Sequence, residues 1–441
     1  MPTSFRPYEP DQSFLLPPSP RDWLPEGHLA FFVSDTIDSL DLSELFKRYE
    51  GDGRRNRPYH PAMMVKVLVY AYATGVFSSR KIAKKIEEDV AFRVLAAGNF
   101  PSHRTICDFR HDHLEALGKL FVQGVQMARE LGLVQLGTVA VDGSKVKANA
   151  SRHKAMSYGR MCEEEQRLQR EIQGLLEHAE AQDAEEDRLY GADQRGEELP
   201  EELRRREDRL RTIQEAKQRL EARQAEADRK KGRQEGDERK SPRGGPPFAR
   251  DFGVPEDKSQ ENFTDPESRI MKDSKGFEQC YNGQITVDAE QQIIVASDLS
   301  NNAADVVALK PMVRKIKETT GQLPERLLAD AGYRSERNLR RMEKLKIDAY
   351  ISLGREGQQS GAERSGQPAT ERMREKLATE DGKRRYARRK AIPEAVFGWI
   401  KNVLGFRQFS LRGQAKAARE WDLVCLATNL RRMSRLATAA G

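Results

Sequence analysis

Cysteine is scarce in this chain of 441 residues: four, at 107, 162, 280 and 425, with no C-x-x-C pair and no Cys/His cluster at zinc spacing. That excludes a disulfide framework and a zinc module, and it predicts a reducing compartment. Long apolar runs are missing too. No stretch approaches the roughly 18 uncharged apolar residues of a membrane span, and the nearest, Met63–Phe77, holds Lys66. The first twenty residues contain six prolines and no apolar core of a secretory signal, so a cytoplasmic protein without membrane association is expected. No repeat of solenoid period is present.

Charge is abundant by contrast: 33% of residues are Asp, Glu, Lys or Arg, against 37% hydrophobic. The 76 basic and 69 acidic residues leave +7, which permits a polyanionic partner. At about 150 residues per domain, the length suits two or three domains.

The charge is unevenly spread, and its distribution predicts the organisation. Residues 1–55 read as a Pro-rich arm and entry segment. In 56–132, Met64, Val67, Leu68 and Ala71 fall at helical spacing. Two Ser-capped basic stretches follow, Ser78–Ala83 and Ser102–Ile106, which describe a small all-helical domain with a weak helix-turn-helix pattern. Thr138–Val141 is a short apolar run that Asp142-Gly143 should stop. Gln284–Val287 and Ile293–Ala296 straddle a polar turn and predict a hairpin. Next come a helix at about 303–317, a strand at Arg326–Asp330, a helix at Ser335–Lys346, a strand at Asp348–Leu353 and a helical region from Pro393. That order describes an α/β domain with a mixed sheet, over 133–160 and 256–441.

Interrupting it, 161–229 is rich in Glu, Arg, Gln and Ala. Leu168, Ile172, Leu175 and Ala179 keep one apolar stripe, and Leu203, Leu210, Ile213 and Leu220 another, with Gly191–Pro200 between them. This predicts an inserted antiparallel helical hairpin, a spacer or oligomerisation arm. Residues 230–255 read as a disordered linker, and Gly354–Thr379 as a second mobile stretch.

Three carboxylates stand in suggestive places: Asp142 and Asp330 at strand ends, Glu394 at a helix start. Grouped at one sheet edge they repel one another unless cations intervene, and oxygen ligands without His or Cys favour Mg²⁺ or Mn²⁺. Two such ions suit phosphodiester chemistry. Taken singly, each has an ordinary alternative: Asp before Gly serves a turn, and Glu at a helix start complements the dipole. Lys383–Lys390 carries six basic residues in eight. On a regular helix Glu394, Gly398 and Lys401 share one face, which places a phosphate-binding ammonium beside the carboxylate. Lys145 and Arg334 follow the two aspartates and either hold substrate phosphate or form solvated basic turns. Trp399, about 140° round the helix from Glu394, reads as core.

With these motifs the chain resembles the DDE transposases of bacterial insertion sequences, the group with a Y-R-E-K signature. Val139-Ala-Val-Asp142-Gly-Ser resembles the family's first-Asp strand, Leu327-Leu-Ala-Asp330-Ala-Gly-Tyr333 its second, and Glu394-Ala-Val-Phe-Gly-Trp-Ile-Lys401 its Glu block. Tyr386 and Arg389 keep the Y-x2-R step, with four residues between Arg389 and Glu394. The resemblance implies a ribonuclease-H-like catalytic domain flanked by helices. Asp142, Asp330 and Glu394 are then catalytic residues holding two Mg²⁺, for which Mn²⁺ can substitute, while Lys401, Tyr386 and Arg389 position the DNA.

It further implies a function: binding the element's terminal inverted repeats as double-stranded DNA, cleaving the 3′ ends and joining them to target DNA, as a homodimer when synapsed. A catalytically inactive DNA-binding or scaffolding descendant is the alternative, and a nuclease of the same fold a third reading. The resemblance leaves the role of the inserted hairpin open.

Overall fold

The computed structural model describes residues 19–49, 57–151, 154–190, 201–236, 250–273, 276–354 and 367–440. The expectations for the Pro-rich arm, the polar run at 50–56, the connection at 191–200 and the middle of the 230–255 linker lie outside these residues. Among the described residues the α-helices α1 (Leu29–Ser39), α2 (Ser43–Lys47), α3 (Pro61–Ala73), α4 (Ser79–Glu88), α5 (Val90–Leu95), α6 (His103–Asp112) and α7 (Leu114–Glu130) come first. Then come β1 (Thr138–Lys147), β2 (Ala155–Ser157), α8 (Tyr158–Tyr190), α9 (Glu201–Lys230), β3 (Gln260–Asn262), β4 (Arg269–Asp273), β5 (Gly276–Asp288) and β6 (Ile294–Ser300). The remainder alternates: α10 (Leu309–Thr320), β7 (Arg326–Ala329), α11 (Glu336–Lys344), β8 (Asp348–Ile351), α12 (Pro368–Ala378), α13 (Glu380–Ala387), α14 (Pro393–Gly398) and α15 (Gln414–Ala440).

Two compact units result, one of residues 1–146 and 282–441, the other of 147–281. In the first, the strands run in the order β6-β5-β1-β7-β8. β1, β7 and β8 are parallel, with Val139 opposite Leu327 and Leu327 opposite Ala349. β5 and β6 form the expected antiparallel hairpin, and Asp288 ties its turn by accepting the amide protons of Leu136 at 2.9 Å and Glu290 at 3.1 Å. This is the mixed sheet with flanking helices that the sequence predicts.

One helix organises this unit. α15 packs on α3, α7 and β6, and its residues from Trp421 to Leu430 are all buried. Trp421 donates its indole N–H to the Gln284 carbonyl at 3.1 Å and lies against Phe397, Phe406 and Phe409. Gly283 lies under the indole, where a Cβ would come within 3.1 Å of the ring. α3 is also enclosed. Only Ala62 and Lys66 along its length escape full burial, because α1, α5 and α15 surround it, so the single stripe read from its sequence understates its burial.

Two local expectations change. β1 does not stop at Asp142-Gly143 but continues to Lys147, because its pairing with β7 ends at Val141 while the strand runs on beside β5. The stretch read as mobile contains α12. Its first turn is capped from outside by Glu336, which accepts the N–H groups of Ala369 at 3.1 Å and Thr370 at 3.0 Å. Burial raises the Glu336 carboxyl, but these bonds and those from the Thr370 and Arg340 side chains outweigh it and hold the group down to about 2.

The second unit holds the inserted hairpin. Tyr158, Met161 and Leu168 of α8 pack against Ile213, Ala216 and Leu220 of α9, a seam of small satellite size. Cross-helix ion pairs join Glu171 to Arg206 at 3.0 Å and Glu165 to Lys217 at 2.9 Å. At the hairpin's base Glu261, fully buried on β3, receives Arg219 and Arg223 at 2.7 Å each. Asp228 accepts from Arg233 at 3.2 Å and from the Gly253 amide at 3.1 Å, which anchors the described flanks of the linker.

Candidate active site

Parallel pairing brings two aspartates together. The β1–β7 ladder pairs Val141 with Ala329, so Asp142 and Asp330 occupy the next position on neighbouring strands. Asp330 leaves its strand by capping a short turn, accepting the Gly332 amide proton at 2.9 Å. Asp142 accepts the Gly143 amide proton at 2.8 Å. Burial pushes the Asp142 carboxyl up to about 6, against the lowering effect of that bond; Asp330 and Asp305 raise it further and Arg389 lowers it. Three carboxylates, Asp142, Asp330 and Asp305, therefore act on one another here.

Asp305 is the residue that sequence reasoning missed. Its Oδ1 accepts from the Asn282 amide at 2.7 Å and the Gln284 amide at 2.8 Å, and Lys145 Nζ lies 3.7 Å away. On its other side it reaches the Asp330 turn, since a Cβ on Gly332 would lie 3.2 Å from Asp305 Oδ2 and 3.0 Å from Asp330 Oδ1. The buried Tyr333 hydroxyl donates to Gln284. In the sequence Asp305 looks like any acid before a helix, and no spacing links it to β5.

Gly143 makes this packing possible. A Cβ there would fall 2.1 Å from Gln284 Nε2 and 2.7 Å from Asp305 Oδ1, both pinned by hydrogen bonds. Gly143→Ala is expected to cost about 1–3 kcal/mol by overpacking, read as a lower urea midpoint; unchanged stability would show that the cluster yields freely.

Glu394 stands in the first turn of α14, with a side chain 55% exposed, and pairs with Arg389 at 3.7 Å. Arg389 is the link to the aspartates: its side chain is only 10% exposed, and its charge lowers Asp142. Among the described residues no three His, Cys, Asp or Glu side chains close up to metal-binding distance. The aspartates, all-oxygen donors with a raised carboxyl between them, fit a hard divalent cation.

After α14 the helix widens. Trp399–Val403 is wound in a π turn, with the Leu404 amide bonded to the Trp399 carbonyl at 2.9 Å, so the regular-helix face assumed for Glu394 and Lys401 is not kept. Lys401 Nζ donates to the Lys145 carbonyl at 2.7 Å, and Lys145 donates to the Ala303 carbonyl at 2.8 Å. Arg334 donates to the Leu353 carbonyl. Tyr386 is half-buried on α13, its carbonyl accepting the Arg389 backbone amide proton at 2.9 Å. Much of the basic run is neutralised within the chain: Lys383 pairs with Glu380, Arg384 and Arg385 with Asp381, and Arg388 with Glu290. On α4 and α6, Arg80, Lys81, His103 and Arg104 are exposed.

Residues 249–430 match the family model of the transposase DDE domain, and 18–112 match that of a transposase domain (DUF772). The first match begins beyond the inserted hairpin; it contains Asp330 and Glu394 and leaves out Asp142. Both matches are to transposase domains and together support an insertion-sequence DDE transposase, a class of enzymes acting on DNA whose domains generally use divalent metals. No curated protein and no solved structure matches it. No helix among the described residues is long and apolar enough to cross a membrane.

Proposed function

We propose that this protein is a Mg²⁺-dependent transposase of the Y-R-E-K group that binds its element's terminal inverted repeats, cleaves at the 3′ ends and transfers them to target DNA. The observation that carries this is the register of β1 and β7, which sets Asp142 beside Asp330 where Asp142 is already difficult to ionise. Asp142, Asp330 and Glu394 are the residues that would hold the metal. Bound divalent ions supply an activated hydroxyl and stabilise the leaving oxygen of a phosphodiester. Arg389 exchanges Glu394 for a substrate phosphate, since a guanidinium binds either anion. Lys401 and Lys145 brace the β1 end of the site, and Asp305 holds Asn282 and Gln284 behind it. The exposed cations of α4 and α6 suit DNA docking by the N-terminal helices. Joining two ends calls for a dimer on DNA.

The test is cleavage and strand transfer on DNA carrying this gene's natural flanks, with Mg²⁺ or Mn²⁺. Asp330→Asn should lower cleavage by roughly 10³-fold or more, since metal assistance is worth several kcal/mol, with end binding within about twofold. Cleavage that survives in the variant overturns the assignment. Cutting without joined products favours a nuclease, and binding without metal-dependent cutting favours an inactive descendant.

A further inference from the structure

Beside the α14 helix lies a groove of about 270 Å³ whose walls include Ala395, Val396, Trp399, Arg431, Arg432 and Arg435. Ala395 follows Glu394 directly, so the groove borders the candidate catalytic carboxylate. Trp399, read from the sequence as core, is only partly buried and forms one wall. Two guanidiniums lie over its ring, that of Arg435 at 4.5 Å and that of Arg431 at 5.3 Å from the centroid. An indole face holds a cation without neutralising it, leaving the N–H groups available for an anion.

The hydrogen bonds of two of these arginines go to backbone carbonyls. Arg431 donates to the Ala73 carbonyl at 2.7 Å and Arg432 to the Gln291 carbonyl at 2.9 Å. Among the described residues no Asp or Glu forms an ion pair with any of the three, whereas most cations of the neighbouring 383–389 run are paired. Burial, and then the like charge of Arg435, lower Arg431's affinity for its proton, as expected where cations are crowded together. Such crowding is unfavourable in the free protein and is relieved by a polyanion. The cations lie on one face of α15, at positions 431, 432 and 435, a spacing that follows a strand and suits successive phosphates better than a single small anion.

We propose that the Trp399–Arg431–Arg432–Arg435 groove is a DNA-backbone subsite that grips phosphates of the strand leading away from the cleavage point. It rests on the reading of this protein as a transposase, and it adds a docking surface from the C-terminal helix to that of the N-terminal helices. Arg431 and Arg435 are held in register by the indole, so Trp399 acts as their positioning residue.

The test is binding of a short random-sequence duplex by the full chain, followed by fluorescence anisotropy between 50 and 200 mM salt, the range over which each phosphate contact is worth roughly 3.5-fold. Arg432→Gln/Arg435→Gln should bind about tenfold more weakly at the low-salt end, and its log K against log salt slope should be shallower by roughly two contacts. Lys310→Gln/Arg314→Gln removes the same charge from the exposed face of α10 and should leave the slope within about 0.3 of wild type. Circular dichroism melts verify that both variants fold. An unchanged slope in the groove variant, with wild type binding normally, overturns the subsite alone; so does a change in self-association without a change in DNA binding. Wild type that binds no duplex at all overturns the subsite and the DNA-acting reading together.

Discussion

Asp142→Asn should make the metal-free protein more stable at neutral pH, by about 3 kcal/mol, while removing cleavage. The folded carboxyl titrates near 6 and the unfolded one near 3.8, and each unit of difference is worth about 1.4 kcal/mol. Between those values the native state binds more protons than the unfolded state, so wild-type stability falls as pH rises from about 4 to 6 and stays low above that. Asparagine keeps an acceptor for the Gly143 N–H and carries no charge, so the variant should show a flat profile. Urea melts in EDTA from pH 4 to 8 measure both curves. Adding Mg²⁺ should then stabilise wild type above pH 6 and leave the variant unmoved, because only the ionised site gains from the cation. A variant less stable than wild type at pH 7 would mean that the carboxylate is satisfied as it stands, and the argument for a cation between these aspartates would fail.

The second large effect lies away from the site. Glu420, fully buried on α15, accepts the Tyr72 hydroxyl proton at 3.0 Å and the amide protons of Ser410 at 2.9 Å and Leu411 at 3.1 Å. Arg110 on α6, 4% exposed, donates to the Tyr72 hydroxyl and the Phe77 carbonyl at 3.0 Å each. Burial and the Glu420 charge push the Tyr72 phenol well above its ordinary range. Glu420→Ala strands the Arg110 charge in the interior and should cost about 3–5 kcal/mol. Tyr72→Phe removes only the bridging hydroxyl and should cost about 1–3 kcal/mol. Arg110→Met in the Glu420→Ala background should recover part of the loss, since no charge is left unpaired. Urea denaturation reads all three; a Glu420→Ala cost below about 1 kcal/mol would show that Arg110 finds water or another partner.

What was legible in the sequence was whatever rests on local periodicity. Apolar runs of strand length, the Asp288–Gln292 turn between two of them and the heptad-like stripes around Leu168 and Ile213 reappear as β1, β5, β6 and the α8–α9 hairpin, because each is decided within a few residues. Asp142 and Asp330 were legible for the same reason, as acids closing apolar runs, although β1 itself runs on past Asp142. Asp305 was not. Its partners Asn282 and Gln284 lie on β5, and only the order β5-β1-β7 sets that strand next to β1, which carries Asp142, and one strand away from the Asp330 turn. The shared face of Glu394 and Lys401 failed because it assumed 3.6 residues per turn, whereas the backbone widens at Trp399–Val403.

By itself, the sequence determined the mixed α/β class, the main strands and helices of its sheet, the inserted hairpin and the family motifs, since hydrophobic period and turn chemistry are local properties of the chain. Only the tertiary structure decided which charges face one another. It paired much of the 383–390 run within the chain, laid Arg431 and Arg435 of α15 over the Trp399 ring, enclosed Glu420 with Arg110 and set Arg389 between Glu394 and Asp142. The reason is that electrostatic energy depends on distance and burial, which long-range strand order and helix packing set and sequence separation does not.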